Sequence, residues 1–158
     1  MAAPTSRDDA PAYMLRAQER RARALLEQPV DGDEPPFMTY GVADPQGKLL
    51  HEVAIDLPGP RLPHDIGFTT HYAILHDLPF FHDMNVLRQH KYRVLTFHRD
   101  IPTRFGIIPR SGQGGEVRWF ECQPCYILHV TNCWEEGDWV VMDGCRSLNP
   151  MPDAQPGE

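Results

Sequence analysis

At 158 residues, with 41% hydrophobic and 23% charged residues, the chain is long enough to bury one sizeable core and has the composition of an ordinary globular domain. A formal charge of -7 and a pI near 5.5 repel a phosphate backbone, so no nucleic-acid partner is expected. The 16 prolines, about twice the usual share, remove backbone donors and break helix interiors, which favours short strands joined by turns and argues against an all-helical fold.

The first residues, MAAPTSRDDA, lack the apolar core of a signal peptide, and no run approaches the roughly 18–20 apolar residues that cross a bilayer. The expectation is a soluble, cytoplasmic protein without a transmembrane segment. Residues 8–28 are mostly Ala, Leu, Arg, Glu and Gln, strong helix formers with a patchy apolar stripe, and predict a helix with weak tertiary anchoring. A linker with Pro29, Gly32, Pro35 and Pro36 follows, after which the sequence changes character.

Residues 37–43 and 48–56 flank the turn Asp44-Pro45-Gln46-Gly47 and read as a hairpin, since proline suits the second turn position and glycine the last. Further strands are expected at 66–69, 72–76, 93–97, 105–108, 116–120, 126–132 and 139–143, with turns at 111–115 and 135–138 between them. Many short, closely spaced strands predict an all-β sandwich, barrel or set of propeller blades, with no internal repeat to choose among them. Residues 149–158 are proline-rich and polar and predict a frayed tail.

Eight histidines are many for this length, and neutral imidazole is a common ligand for iron, zinc and copper. His71 and His76 are five apart, so in a continuous strand they point to opposite faces and do not share a metal. His64, after Leu62-Pro63, reads either as a turn histidine or as a ligand, and Asp65 beside it is suited to position a neighbouring backbone or an imidazole. His129 lies in a strand apolar enough to be buried, where an imidazole needs a partner: a satisfied core histidine and a metal ligand are both open. Cys122-Gln123-Pro124-Cys125 has the spacing of thiol redox motifs and of half a zinc knuckle, but no second pair exists and no βαβ pattern precedes it. All four cysteines are expected reduced. Glu135 and Glu136, beside Gly137-Asp138, read as solvated loop charges. There is no phosphate-binding glycine loop and no nucleophile motif.

Four segments, in order, resemble carotenoid cleavage oxygenases, a family that includes lignostilbene dioxygenases and the retinoid isomerase of the retinal pigment epithelium. They are FMTYGVADPQGKLLHEVAIDLPGP, LPHDIGFTTHYAILHDLPF, FHRDIPTRFGIIPR and WFECQPCYILHVTNCWEEGDWVVMDGCR. The resemblance implies a seven-bladed β-propeller that holds one Fe(II) on its axis through four histidines, each from a different blade. Its His-Asp motif maps onto His64, and its histidine before an Asn-x-Trp-Glu-Glu run maps onto His129. His51, His71, His76, His82, His90 and His98 are then structural or surface residues, and Cys122 and Cys125 an incidental feature of the strand leading to His129.

The implied chemistry is dioxygenation of a conjugated double bond in a carotenoid, apocarotenoid or stilbene, giving two carbonyl products. Its partners are an apolar substrate and O2, with Phe80, Phe81 and Trp134 available to line a hydrophobic tunnel. The departures from the family pattern matter as much. Residues 8–28 contain no histidine where the first ligand belongs, the fourth belongs beyond residue 158, and the outer carboxylates have no matching positions.

The expectation is therefore a propeller fragment. Residues 1–36 form a helix and linker unmatched to the family, 37–150 the partial propeller domain, and 151–158 a disordered tail. The isolated chain is expected to be inactive for want of two ligands and to self-associate through exposed blade edges. The alternatives are a non-catalytic truncated remnant of the same fold and, further off, a small zinc or thiol protein built on Cys122 and Cys125.

Overall fold

Asp44 accounts for the first hairpin. In the computed structural model, which describes residues 35–82, 85, 88–89 and 94–150, strands β1 (Met38–Ala43) and β2 (Leu49–Ile55) pair antiparallel around it. The Asp44 carboxylate accepts from the amides of Gln46 and Lys48, and Gly47 takes φ 82°, a left-handed conformation that glycine adopts without a Cβ clash. The register shifts between Val42 and Ala43, as an extra residue at the turn requires. The helix expected over residues 8–28, the tail from 151 onward and His90 lie outside the described residues.

The main sheet has four antiparallel strands in the order β3 (Gly67–Phe68), β4 (Tyr72–Asp77), β7 (Thr103–Pro109) and β8 (Arg118–Cys122). Between β4 and β7 the chain makes an excursion through the pair β5 (Phe80–His82) and β6 (Leu95–Phe97), with Asn85, Arg88 and Gln89 helical between them. A 3-10 turn at Gly114–Glu116 precedes β8. The last hairpin is β9 (Tyr126–Glu136) with β10 (Trp139–Ser147), turning on Gly137 at φ 58°. The described residues are thus nearly all β, with four separate sheets and no closed one.

Strand β4 is buried on both faces from Ala73 to Asp77, as a strand inside a sheet covered on both sides is. Ala73 and Leu75 on β4 and Ile108 on β7 meet Met38, Tyr40, Ile55 and Leu57, so the β1–β2 hairpin covers one face of the main sheet. At the end of β4 the carboxylate of Asp77 is buried between two arginines. Its Oδ1 accepts from Arg61 Nε at 2.6 Å and its Oδ2 from Arg104 Nε at 2.7 Å. The guanidinium of Arg61 lies over Phe81 and that of Arg104 over Trp119, so each cation is covered by an aromatic face.

Candidate functional site

Strand β9 pairs with β10, yet three side-chain contacts fasten it to the main sheet. At its start, the Thr103 hydroxyl donates to the Cys125 carbonyl at 2.8 Å and accepts from the Cys125 amide at 2.9 Å. Near its middle, Asp65 Oδ2 accepts from the Val130 amide at 2.9 Å while Oδ1 accepts from the Ile66 amide. At its end, Glu135 accepts from the Thr69 hydroxyl, the His71 amide and the His71 imidazole. Gly67 permits the close approach: a Cβ there would lie 2.8 Å from Cys133 Sγ on β9.

His64 and His129 meet between the first two fastenings. Their rings are 4.9 Å apart between centroids and nearly perpendicular, at 81°. The His64 Nδ1 lies 3.1 Å from the Leu128 carbonyl oxygen. A carbonyl only accepts, so Nδ1 carries the proton and the lone pair of the neutral ring is on Nε2. His129 Nδ1 stands 4.0 Å from Asp65 Oδ2, an electrostatic contact longer than a hydrogen bond. Among the described residues, no group of three or more His, Cys, Asp or Glu side chains is arranged to hold a metal ion.

The backbone of β9 is irregular at this point. Its register against β10 shifts twice, between Asp143 and Gly144 and between Gly144 and Arg146, which brackets Leu128 and His129 on the opposing strand. Bulges of this kind re-aim side chains and release backbone groups from the ladder. Here the Leu128 carbonyl serves His64 and the Val130 amide serves Asp65. The buried strand expected around His129 is therefore corrected: its side chain is 63% exposed. Apolar composition suggested burial, but β9 is held at intervals rather than covered along its length.

The remaining histidines are dispersed. His51 bonds the Gly112 carbonyl at 2.9 Å, and His98 stacks on Phe81. His76 is buried in β4 with neither ring nitrogen hydrogen-bonded, edge-on to Phe105; burial pushes its imidazole down to about 4, against a smaller opposing effect of Asp65. His71 lies in the corner just before β4, outside the strand as the expected bounds 72–76 had it, and its imidazole is bonded to Glu135. Of the aromatics proposed for a tunnel, Phe80 packs on Phe97 and Tyr126, and Phe81 between Arg61 and His98.

Glu135 corrects a second expectation. It belongs to β9, not to a loop, and is no free solvated charge. Burial opposes its ionisation, but the hydrogen bonds from Thr69 and His71 outweigh this and hold the carboxyl down at about 2, against an ordinary 4.5. A depressed carboxyl contributes its full stability above its ordinary range and loses it as pH falls toward 2. The acid limb of the urea midpoint between pH 4.5 and 2 should accordingly flatten in Glu135→Gln. An unchanged limb would show that the clamp carries no stability.

The family described as Retinal pigment epithelial membrane protein matches this chain over residues 26–157. Carotenoid 9,10(9',10')-cleavage dioxygenase 1 of Phaseolus vulgaris is 36% identical over 120 residues, covering 75% of this chain and 22% of that protein. The lignostilbene dioxygenase structure of Pseudomonas brassicacearum superposes with a TM-score of 0.61 at 28% identity, over 67% of this chain and 22% of that one. The cobalt-substituted Synechocystis apocarotenoid oxygenase gives a TM-score of 0.61 at 29% identity, over 74% and 24%. The chain thus spans about a quarter of the length of the proteins it matches. It belongs to the Retinal pigment epithelial membrane protein family, alongside carotenoid cleavage dioxygenases.

Proposed function

We propose that this chain supplies two histidine ligands, His64 and His129, to the Fe(II) centre of a dioxygenase that cleaves a conjugated C=C bond of a carotenoid, apocarotenoid or stilbene. The observation that carries the reading is the meeting of these two rings, 4.9 Å apart and drawn from segments 65 residues distant in sequence, within a chain of this family. The donor set fits a divalent metal. His64 engages its Nδ1 with a backbone carbonyl and His129 turns its Nδ1 toward a carboxylate, the arrangement that orients ligating imidazoles and leaves Nε2 to the metal. The cobalt-substituted Synechocystis relative supports a divalent metal in this family.

Neutral imidazoles leave the ion its full positive charge, and Fe(II) when bound supplies the activation of O2 beside the substrate. The chain's own part is positional. Asp65 anchors β9 through Val130 and faces His129, and the Leu128 carbonyl fixes the tautomer of His64. Two ligands do not complete such a shell, so the rest would come from further blades of a seven-bladed propeller. Exposed Leu50 and Trp139, at 62% and 75%, are apolar surface that such blades or a second copy would cover.

The test is to reconstitute residues 1–158 with Fe(II) without oxygen, then admit oxygen with an apocarotenoid or a hydroxystilbene and assay aldehyde products. The expected result is weak, exchangeable iron and no sustained cleavage. Robust turnover dependent on both His64 and His129 would overturn the need for further blades and show that copies pool their ligands, whereas iron bound equally well by a His64→Ala/His129→Ala chain would overturn the assignment of these ligands.

A further inference from the structure

Cys122 and Cys125 lie at the junction of β8 and β9, and neither the iron site nor the core explains their chemistry. Thr103 holds both ends of the tetrapeptide. It is the register partner of Cys122, and its hydroxyl bonds both the amide and the carbonyl of Cys125. Thr103 and Cys125 are fully buried, so the far end of this bend is fixed in the interior while Gln123 is exposed. The two thiols lie close enough to act directly on one another, as a disulfide between them requires.

The two thiols differ in access. Cys125 is sealed from solvent, whereas Cys122 is partly exposed and donates a weak bond to the Gln123 carbonyl. An accessible sulfur with a second sulfur sealed behind it is the division of labour between an attacking and a resolving cysteine. Burial first, and then Cys125, raise the Cys122 thiol overall. That slows the attack, and it also leaves the reduced form without thiolate stabilisation, which favours the disulfide once formed. The other thiols lack such a pairing: Cys133 is buried against Gly67, where burial pushes it up to about 11, and Cys145 is exposed on β10.

We propose that Cys122 and Cys125 are a redox-active dithiol that closes to an intrachain disulfide on reaction with a peroxide. The Cys122 thiolate attacks one peroxide oxygen and breaks the O–O bond, giving a sulfenic acid and, with its proton, one water from hydrogen peroxide. The Cys125 sulfur then displaces the sulfenic hydroxyl, forming the S–S bond and releasing the second water. The dithiol loses two electrons and two protons, and the peroxide is reduced to two waters. The bridge ties β8 to the start of β9, four residues before His129.

The experiment treats the folded full chain carrying Cys133→Ser and Cys145→Ser with hydrogen peroxide, followed by intact mass and thiol titration. The expected product is a monomer lighter by two hydrogens, with both thiols lost together and restored by dithiothreitol. The reciprocal Cys122→Ser/Cys125→Ser chain should give no intrachain loss of two hydrogens. Since Cys133 packs closely, the single Cys145→Ser chain is a second reporter, expected to retain one titratable thiol after oxidation and unfolding. Oxygen atoms added at Cys122 while Cys125 remains a free thiol, or a bridge only between chains, would overturn the proposal.

Discussion

In a protein that carries the complete set of blades, His64→Ala and His129→Ala are each expected to abolish iron retention and turnover, because each removes a nitrogen that no other described side chain replaces. Losing a group that merely orients a metal ligand already costs roughly 10–100-fold in affinity, so loss of a ligand should exceed that. His71→Ala is the matched control. Its imidazole is bonded to Glu135 and lies outside the His64–His129 contact, so iron content should persist although the clamp on β9 loosens. Elemental analysis for iron, alongside aldehyde formation, checks all three. An iron-replete and active His129→Ala protein would remove that residue from the shell.

The same geometry explains why so few contacts suffice to bring the two histidines together. His64 lies in irregular chain before β3, and His129 on a strand of a different sheet; neither shares a hydrogen-bonded ladder with the other. Their spacing depends on Asp65 and on the Leu128 carbonyl, both adjacent in sequence to a histidine. One residue of slip in β9 would turn His129 to the other face. The Thr103–Cys125 bonds and the Glu135 clamp prevent that slip from either end. Oxidation of Cys122 and Cys125 would act at the first of these fastenings.

Where a turn carries its own chemistry, the sequence was legible. Asp44 and Gly47 announce the first hairpin, and the structure places it as expected, with β1 and β2 each within a residue of the expected bounds at either end. The short β5 was missed, since three residues after Leu78-Pro79 show no alternation to detect. Strand β9 runs on through Glu135 and Glu136 because the turn is only Gly137-Asp138, shorter than the four polar residues suggested. The bulges opposite Gly144 leave no mark that composition reveals. Glu135 looked solvated because Thr69 and His71, the residues that occupy it, stand 64 to 66 positions away. The pairing of His64 with His129 was legible only through the family resemblance, as strand alternation alone left both open.

Asp77→Ala is expected to be the most damaging substitution for folding among the described charged residues. The carboxylate is almost fully buried, accepts from Arg61 and Arg104, and has no other cation to spare; Arg61 is itself buried. Removing it leaves two guanidiniums facing each other across a cavity, one of them with little access to water. Breaking a buried pair in this way costs about 3–5 kcal/mol, far above the worth of a surface ion pair. For a chain of this size that lowers Tm by roughly 10 °C or more. The aromatic faces of Phe81 and Trp119 cover the guanidiniums but supply no hydrogen-bond acceptor in the plane of the fork, so they do not replace the carboxylate. Arg104→Met should cost less, since Asp77 keeps Arg61 and the partly exposed position accepts an apolar chain on Trp119. Urea or thermal unfolding of the two variants measures the difference. If Asp77→Ala unfolds at the same midpoint as the parent, the buried ion cluster contributes nothing net to the stability of the sheet.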